Sequence, residues 1–491
     1  MQQQQGLLGY FTVIMLATAA FAQPGIAEGP NHPLDPLGHG EIATGLKSGE
    51  LTLDDVRRTG MLVFTTPFNR YDGMGDGPFD PAETDPRAFG QRPTLQGNGM
   101  YLRLNGLDAQ SCNECHTIVS NKERPPALGI GGVGGIVQTA LILPDFVDVS
   151  DTEAAPHLAF DGVADFTGRL ANPPFLFGGG GVELLAKEMT ADLQSLLDLA
   201  QSSPAGTVVA LDTHSVNFGH LISLGDGEVE LQVEGIGFED NTARAPEEVL
   251  VVRPFGRKGE NFSMRDFDRG AMQFHFGIQP TEVFGEGQDT DGDGLSDEIT
   301  DGEMTALHVF DVTNPPPFMS RLDRNAWKGY HKFYTVGCAD CHVPQMVTRS
   351  RTLPLAFPED PTDPYANVYL EIDLTDVGFA GVSRAGVRVP LFADLKRHKM
   401  GPGLAETFTA GEIANDEFTT ARLWGIADTA PYLHDGRATT LREAIEAHGG
   451  EAEAARDEFV ALSAQDQANL LHFLENLRTP VGPNEELIED R

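Results

Sequence analysis

Every cysteine of this 491-residue chain lies in one of two copies of C-x-x-C-H: Ser111-Cys112-Asn113-Glu114-Cys115-His116 and Gly337-Cys338-Ala339-Asp340-Cys341-His342. Two thiols at this spacing reach the two vinyl groups along one porphyrin edge, and the imidazole behind them turns in to ligate iron. The expected cofactors are two covalently bound haem c groups, one on Cys112, Cys115 and His116, the other on Cys338, Cys341 and His342. A disulfide or dithiol would need only the cysteines. With His at 14 of 491 positions, a His directly behind both pairs has a chance probability of roughly 0.001. Zinc held by all four thiols is the other reading, but structural zinc ligands sit within a few tens of residues of one another, and these pairs start at Cys112 and Cys338.

What each iron can do depends on its sixth ligand, since Met or His saturates it for electron transfer and an open position admits a small molecule. Met346 stands too close behind His342 for the chain to cross the porphyrin. Met400, in Arg397-His398-Lys399-Met400-Gly401-Pro402-Gly403, is the expected partner of His342. His398 is its rival, and a Met that merely packs is the plainer alternative. Between His116 and His157 the chain has neither His nor Met. The first iron is therefore expected to be open or water-bound, with His220 and His275 as distant residues that could close it. An open haem needs groups that move protons beside it. Glu183 and Glu188 are the candidates, with exposed helix carboxylates as the plainer reading.

A third constellation, Asp289-Thr290-Asp291-Gly292-Asp293-Gly294-Leu295-Ser296-Asp297, has the alternating oxygens and sharp glycine turn of a calcium loop. Asp289, Asp291, Asp293 and Asp297 would supply the ligands. Position twelve is Thr300, not the usual bidentate Glu, so a solvated acidic turn is the competing reading.

The elements that must position these residues can be read in order. Residues 1–22 hold an apolar run ending in Ala20-Phe21-Ala22, a signal-peptide pattern that lacks Lys or Arg ahead of it. The run is short for a bilayer, so no stable membrane span is expected after cleavage, and the expected location is periplasmic or secreted, where c-type haem is attached. Residues 23–60 read as an extended lead-in with a short helix from Thr52 to Val56. Residues 61–205 read as an N-terminal haem domain. In it the glycine-rich loop from Gly129 to Gly135 packs against a haem face, and a helical pattern from Val182 restarts near Thr190 and Asp192. Residues 206–250 carry a β insert with a hairpin turn at Gly225-Asp226-Gly227, and 251–320 a connecting region. Residues 321–480 read as a C-terminal cytochrome c domain. It has a helix running into Cys338, a Pro-rich loop from Pro344 to Asp376, a capping box at Thr440 and Glu443, and a last helix from Ala464 to Leu477. Residues 481–491 form an acidic tail. The expected fold class is mainly α, with two cytochrome c-like haem domains, long loops and a small β insert between them.

The net charge of −39 excludes nucleic acid and anionic membrane surfaces as partners. It favours encounter with a basic redox partner, although a solvated acidic surface explains it equally well.

Beyond the two motifs, several stretches resemble the bacterial di-haem oxidoreductases, sometimes called thiol oxidoreductases. They are more distantly similar to di-haem cytochrome c peroxidases and the di-haem enzymes that mature methylamine dehydrogenase. The resemblance spans roughly residues 95 to 478. It rests on Asn172 to Gly178, Val252 to Gly259, Gly270-Ala271 to Gly277-Ile278, Met400 to Gly403, and Ala430-Pro431-Tyr432-Leu433-His434-Asp435-Gly436-Arg437. It implies that His116 and His342 are proximal ligands and Met400 the distal ligand of an electron-feeding haem. The peroxidases place a Glu-Met pair near the open haem, to which Glu188-Met189 is similar in position; their first-domain Trp and distal His have no counterpart here. The function this implies is an exported di-haem oxidoreductase. Its electrons would come from a cytochrome or small redox protein, and it would reduce peroxide or another small oxidant. The alternative is a non-enzymatic di-haem electron carrier.

Overall fold

The computed structural model describes residues 38–68, 72–74, 111–116, 142–145, 167–170, 172–173, 176–290, 292, 294–382, 385–406 and 413–488. The signal segment, the loop from Gly129 to Gly135, His157, Asp291 and Asp293 lie outside them. The principal helices are α1 (His39–Ser48), α2 (Leu53–Thr65), α3 (Cys112–Cys115), α4 (Gly179–Gln201), α5 (Met264–Ala271), α6 (Asp301–Val312), α7 (Arg324–Thr335), α8 (Leu441–Glu446), α9 (Glu453–Ala461) and α10 (Ala464–Leu474).

Two close helix crossings organise them. At Gly60 of α2 a Cβ would lie 2.0 Å from the Ala306 carbonyl of α6, and at Gly329 of α7 a Cβ would lie 1.9 Å from the Asn469 carbonyl of α10. Only a residue without a side chain lets two backbones approach so near. Around the first crossing gathers a large core including Val56, Phe64, Leu184, Met264 and Phe310. Around the second gathers a smaller, aromatic one with Phe333, Phe392, Phe459 and Phe473.

Within the expected lead-in of residues 23–60, the described residues from 38 on form α1 and most of α2, where only a short helix from Thr52 to Val56 was expected. Thr52 accepts from Asp55 N at 3.1 Å while Asp55 Oδ2 accepts from Thr52 N at 2.9 Å, and this reciprocal cap starts α2. Its partner α6 falls within the expected connecting region, so the first core is assembled from segments far apart in sequence. Arg57 of α2 also donates to Asn484 at 3.3 Å and Glu486 at 2.8 Å, and Leu487 is buried, so the start of the acidic tail packs back onto this core.

The β insert forms where the alternation places it: β1 (Val208–Thr213), β2 (Val216–Gly225) and β3 (Glu228–Val233) make an antiparallel sheet in that order. Its turn has Gly225, Asp226 and Gly227 at φ of 86°, 54° and 85°, which suits these residue types. The helix α4 does not restart at Thr190. Thr190 Oγ1 instead accepts from Val252 N at 3.0 Å, and Asp192 pairs with Arg349, so both polar groups tie the helix outward. The Pro-rich loop contains an antiparallel hairpin, Thr352–Ala356 against Val368–Asp373, with Leu353 and Leu355 buried. Among the described residues no helix is long and apolar enough to cross a membrane.

Candidate haem centres

At both motifs the chain makes the same tight turn. His116 N donates to Cys112 O at 2.9 Å, and His342 N donates to Cys338 O at 3.0 Å. One backbone turn thus separates the first cysteine of each motif from its histidine, as the spacing of a thioether-linked haem requires. The surroundings of the two turns differ.

At the second motif, α7 ends at Thr335, and Gly337, with a φ of 90°, redirects the chain into Cys338. His342 Nδ1 donates to the Phe392 carbonyl at 3.1 Å, and burial lowers its pKa to about 4. Facing it is His448, at the end of the capped helix α8: the two rings are 6.4 Å apart between centroids and inclined at 58°. His448 Nδ1 donates to the Ala444 carbonyl at 2.7 Å, and burial lowers its pKa too. Both rings are thus neutral, and on each the Nδ1 that donates to a carbonyl carries a proton. That is how a metal-ligating His is normally held, its far nitrogen donating to a carbonyl. With metal–nitrogen bonds of about 2 Å on each side, two imidazoles on one ion hold their centroids roughly 6 Å apart. The residues present fit a haem iron between His342 and His448.

Met400 is half-buried. A Cβ on Gly449 would lie 2.9 Å from the Met400 carbonyl, and one on Gly450 2.1 Å from the Lys399 carbonyl. Its main chain therefore supports the turn that follows His448. His398 has both ring nitrogens engaged, Nε2 with Asp394 and Nδ1 with Glu451, each at 2.8 Å. Burial opposes its charge, but the hydrogen bond to Asp394 prevails and its pKa rises to about 11. A doubly donating imidazolium has no lone pair for iron.

At the first motif, Cys115 and His116 are buried, and the His116 ring stands edge-on to Phe267 of α5 at 6.3 Å. Next in the chain is Asp268, which with Asp311 of α6 forms a buried pair beside Cys112. Their carboxyls hydrogen-bond to each other, which requires a shared proton. Burial pushes both up, Asp311 to about 8.

Glu183 and Glu188 are buried, unlike ordinary exposed helix carboxylates. Glu183 meets Lys187 at 3.0 Å, His308 at 3.3 Å and Met264 N at 3.0 Å. Burial would raise its pKa, but Lys187 and His308 hold it at about 2. Glu359 joins the group through Ser263, at 2.5 Å, and Lys187, at 3.7 Å. Glu183, His308 and Glu359 have metal-ligand spacing, yet the Lys187 ammonium already supplies a cation there. Glu188 accepts from Arg349 N and Ser350 N, both at 2.9 Å, and meets His214 at 3.0 Å, pinning a loop to α4.

In the acidic run, Asp289 accepts from Gly292 N and Gly294 N, Asp297 accepts from Gly287 N, and Thr300 caps α6. The described carboxylates serve the loop's own backbone.

Reasoning from sequence missed His448 and the Asp268–Asp311 pair. The available signs were a His directly before Gly449-Gly450, and an Asp inside the apolar run Ala306-Leu307-His308-Val309-Phe310-Asp311-Val312.

Residues 319–477 match the family described as "Di-haem oxidoreductase, putative peroxidase". No curated protein matches the sequence. Among solved structures, the hydrazine synthase of Kuenenia stuttgartiensis is 21% identical at a TM-score of 0.22, over 36% of this chain and 56% of that one. A MauG-like protein associated with microbial copper homeostasis is 16% identical at a TM-score of 0.25, over 46% and 68%. The chain thus spans little more than half of the hydrazine synthase chain, and neither overlay is close enough to carry an argument. The segment that holds His342 and His448 is recognisable as a di-haem oxidoreductase domain.

Proposed function

We propose that the chain is an exported oxidoreductase carrying two c-type haems with different tasks. The His342–His448 pair, two neutral imidazoles at the spacing of one shared metal ion, is the observation that carries this reading. His342 and His448 would hold the haem at the second centre, and a haem so held would store and pass single electrons. His448 takes the place expected for Met400.

The first centre is where a small oxidant such as peroxide would be reduced. A bound haem supplies the redox chemistry there, and the chain supplies protons. At neutral pH Glu183 is ionised and has none to give, whereas the Asp268–Asp311 pair keeps one within the buried layer beside Cys112.

Substitution at the two rival ligands tests the assignment. With two haems per chain verified by pyridine haemochrome, His448→Ala should convert one low-spin EPR signal to high spin, and Met400→Ala should leave both signals in place. The reverse result would return Met400 to the iron. If both haems are low-spin in the as-isolated and half-reduced protein and neither responds to peroxide, the protein is a carrier instead.

A further inference from the structure

The helix that leads into the second motif has a second face. Arg324, Trp327, Lys328, His331 and Tyr334 are exposed along one side of α7, at three- and four-residue spacing. Ala326, Gly329 and Phe333 are buried on the other side against α10. Trp327 is 49% exposed and Tyr334 47%. Large rings clustered in water, rimmed by charge, mark an interaction surface.

The charge here also runs against the rest of the chain. The net charge is −39, yet the 12 residues of α7 include Arg324, Lys328 and Lys332 and no acid. Nearby acids are engaged: Asp323 caps the helix and meets His472 at 3.1 Å, and Asp466 pairs with Lys332 at 3.2 Å. Arg324 and Lys328 have no ion-pair partner among the described residues.

This face is one ring away from the haem ligand. The Tyr334 ring is 6.4 Å from Phe333, and Phe333 is 6.5 Å from the His342 imidazole. Trp327 connects through Tyr330, at 5.6 Å, to Phe473, at 5.1 Å.

We propose that the exposed face of α7 is the docking surface for an acidic electron-transfer protein. Its carboxylates would meet Arg324, Lys328 and His331, and an apolar spot would cover Trp327 and Tyr334. A haem held by His342 would take up one electron given up by the partner's redox group, with no bond made or broken. The proposal rests on the reading that His342 holds a haem. It reverses what net charge alone suggests, because the charges at the contact, not the distant ones, fix the docked pose.

The test uses the full-length, haem-loaded protein and a reduced acidic ferredoxin as probe, with reduction of the second haem followed by rapid mixing. In the wild type the rate should fall as salt rises. Reversing both charges, Arg324→Glu with Lys328→Glu, should slow the ferredoxin reaction about tenfold or more, while reduction by hydroquinone stays unchanged. Trp327→Ala should slow it further. An unchanged ferredoxin rate in the charge-reversed variant overturns the proposal. So does self-association of the wild type that the same variant abolishes, which would assign the face to a second copy of this chain. The haem count on the same samples separates the two levels: two haems with a charge-independent rate sinks only the docking surface, and absence of haem sinks the reading beneath it.

Discussion

The crossing of α2 with α6 and the crossing of α7 with α10 use one device for two purposes. Each relies on a glycine against a backbone carbonyl, Gly60 on Ala306 and Gly329 on Asn469, and each stands beside one C-x-x-C-H turn. What fills the space differs. Near the second turn are rings, with Phe333, Phe392 and Phe473 packed around two neutral imidazoles. Near the first are buried charges and acids: Glu183 with Lys187 and His308, and Asp268 with Asp311. Aromatic packing keeps an electron site rigid and dry, while a polar layer can hold protons. The same crossing is thus lined with rings beside one turn and with buried acids and charges beside the other.

The largest effect that would test this contrast is expected from Glu183→Gln. The change leaves Lys187 buried with only Glu359 and the Pro354 carbonyl, and it should cost about 3 kcal/mol of unfolding free energy, the lower end for a broken buried pair. A loss near zero in denaturant titration would mean that the charged layer is not structural. Next come Gly60→Ala and Gly329→Ala. Each forces a methyl against a carbonyl and should cost about 1–3 kcal/mol. If the crossings are equivalent devices, the two losses should be similar; a harmless Gly60→Ala would break the parallel.

A further test lies in pH dependence. The Asp311 carboxyl titrates near 3.8 when unfolded and at about 8 when folded. The folded state therefore binds more protons between those values, and stability falls as pH rises through that window. Asp311→Asn should flatten this slope, measured as melting temperature against pH. An unchanged slope would show that the pair does not carry the proton assigned to it.

Local rules made much of this legible. The two C-x-x-C-H turns, the hairpin at Asp226, the capping box at Thr440 and the last helix all depend on residues close in sequence. The Asp268–Asp311 pair and the α2–α6 crossing do not, since each joins segments whose proximity no local pattern encodes. His448 was hidden differently. In sequence it ends a short helix before two glycines that read as a turn; in space those glycines let the Lys399–Met400 backbone pass close by, and the imidazole turns toward His342.

The packing of Arg57 against Asn484 and Glu486 has a consequence in time. The helices around His342 come from one contiguous stretch and can pair as soon as it is made. Those around His116 cannot. The helix α2 must wait for α6, and then for the final residues, before its core closes, and such long-range contacts form late. The contacts that close the core around the Cys112 to His116 turn thus reach across nearly the whole described chain, from Arg57 to Glu486, whereas the buried core around His342 draws only on residues from Phe333 to Leu477.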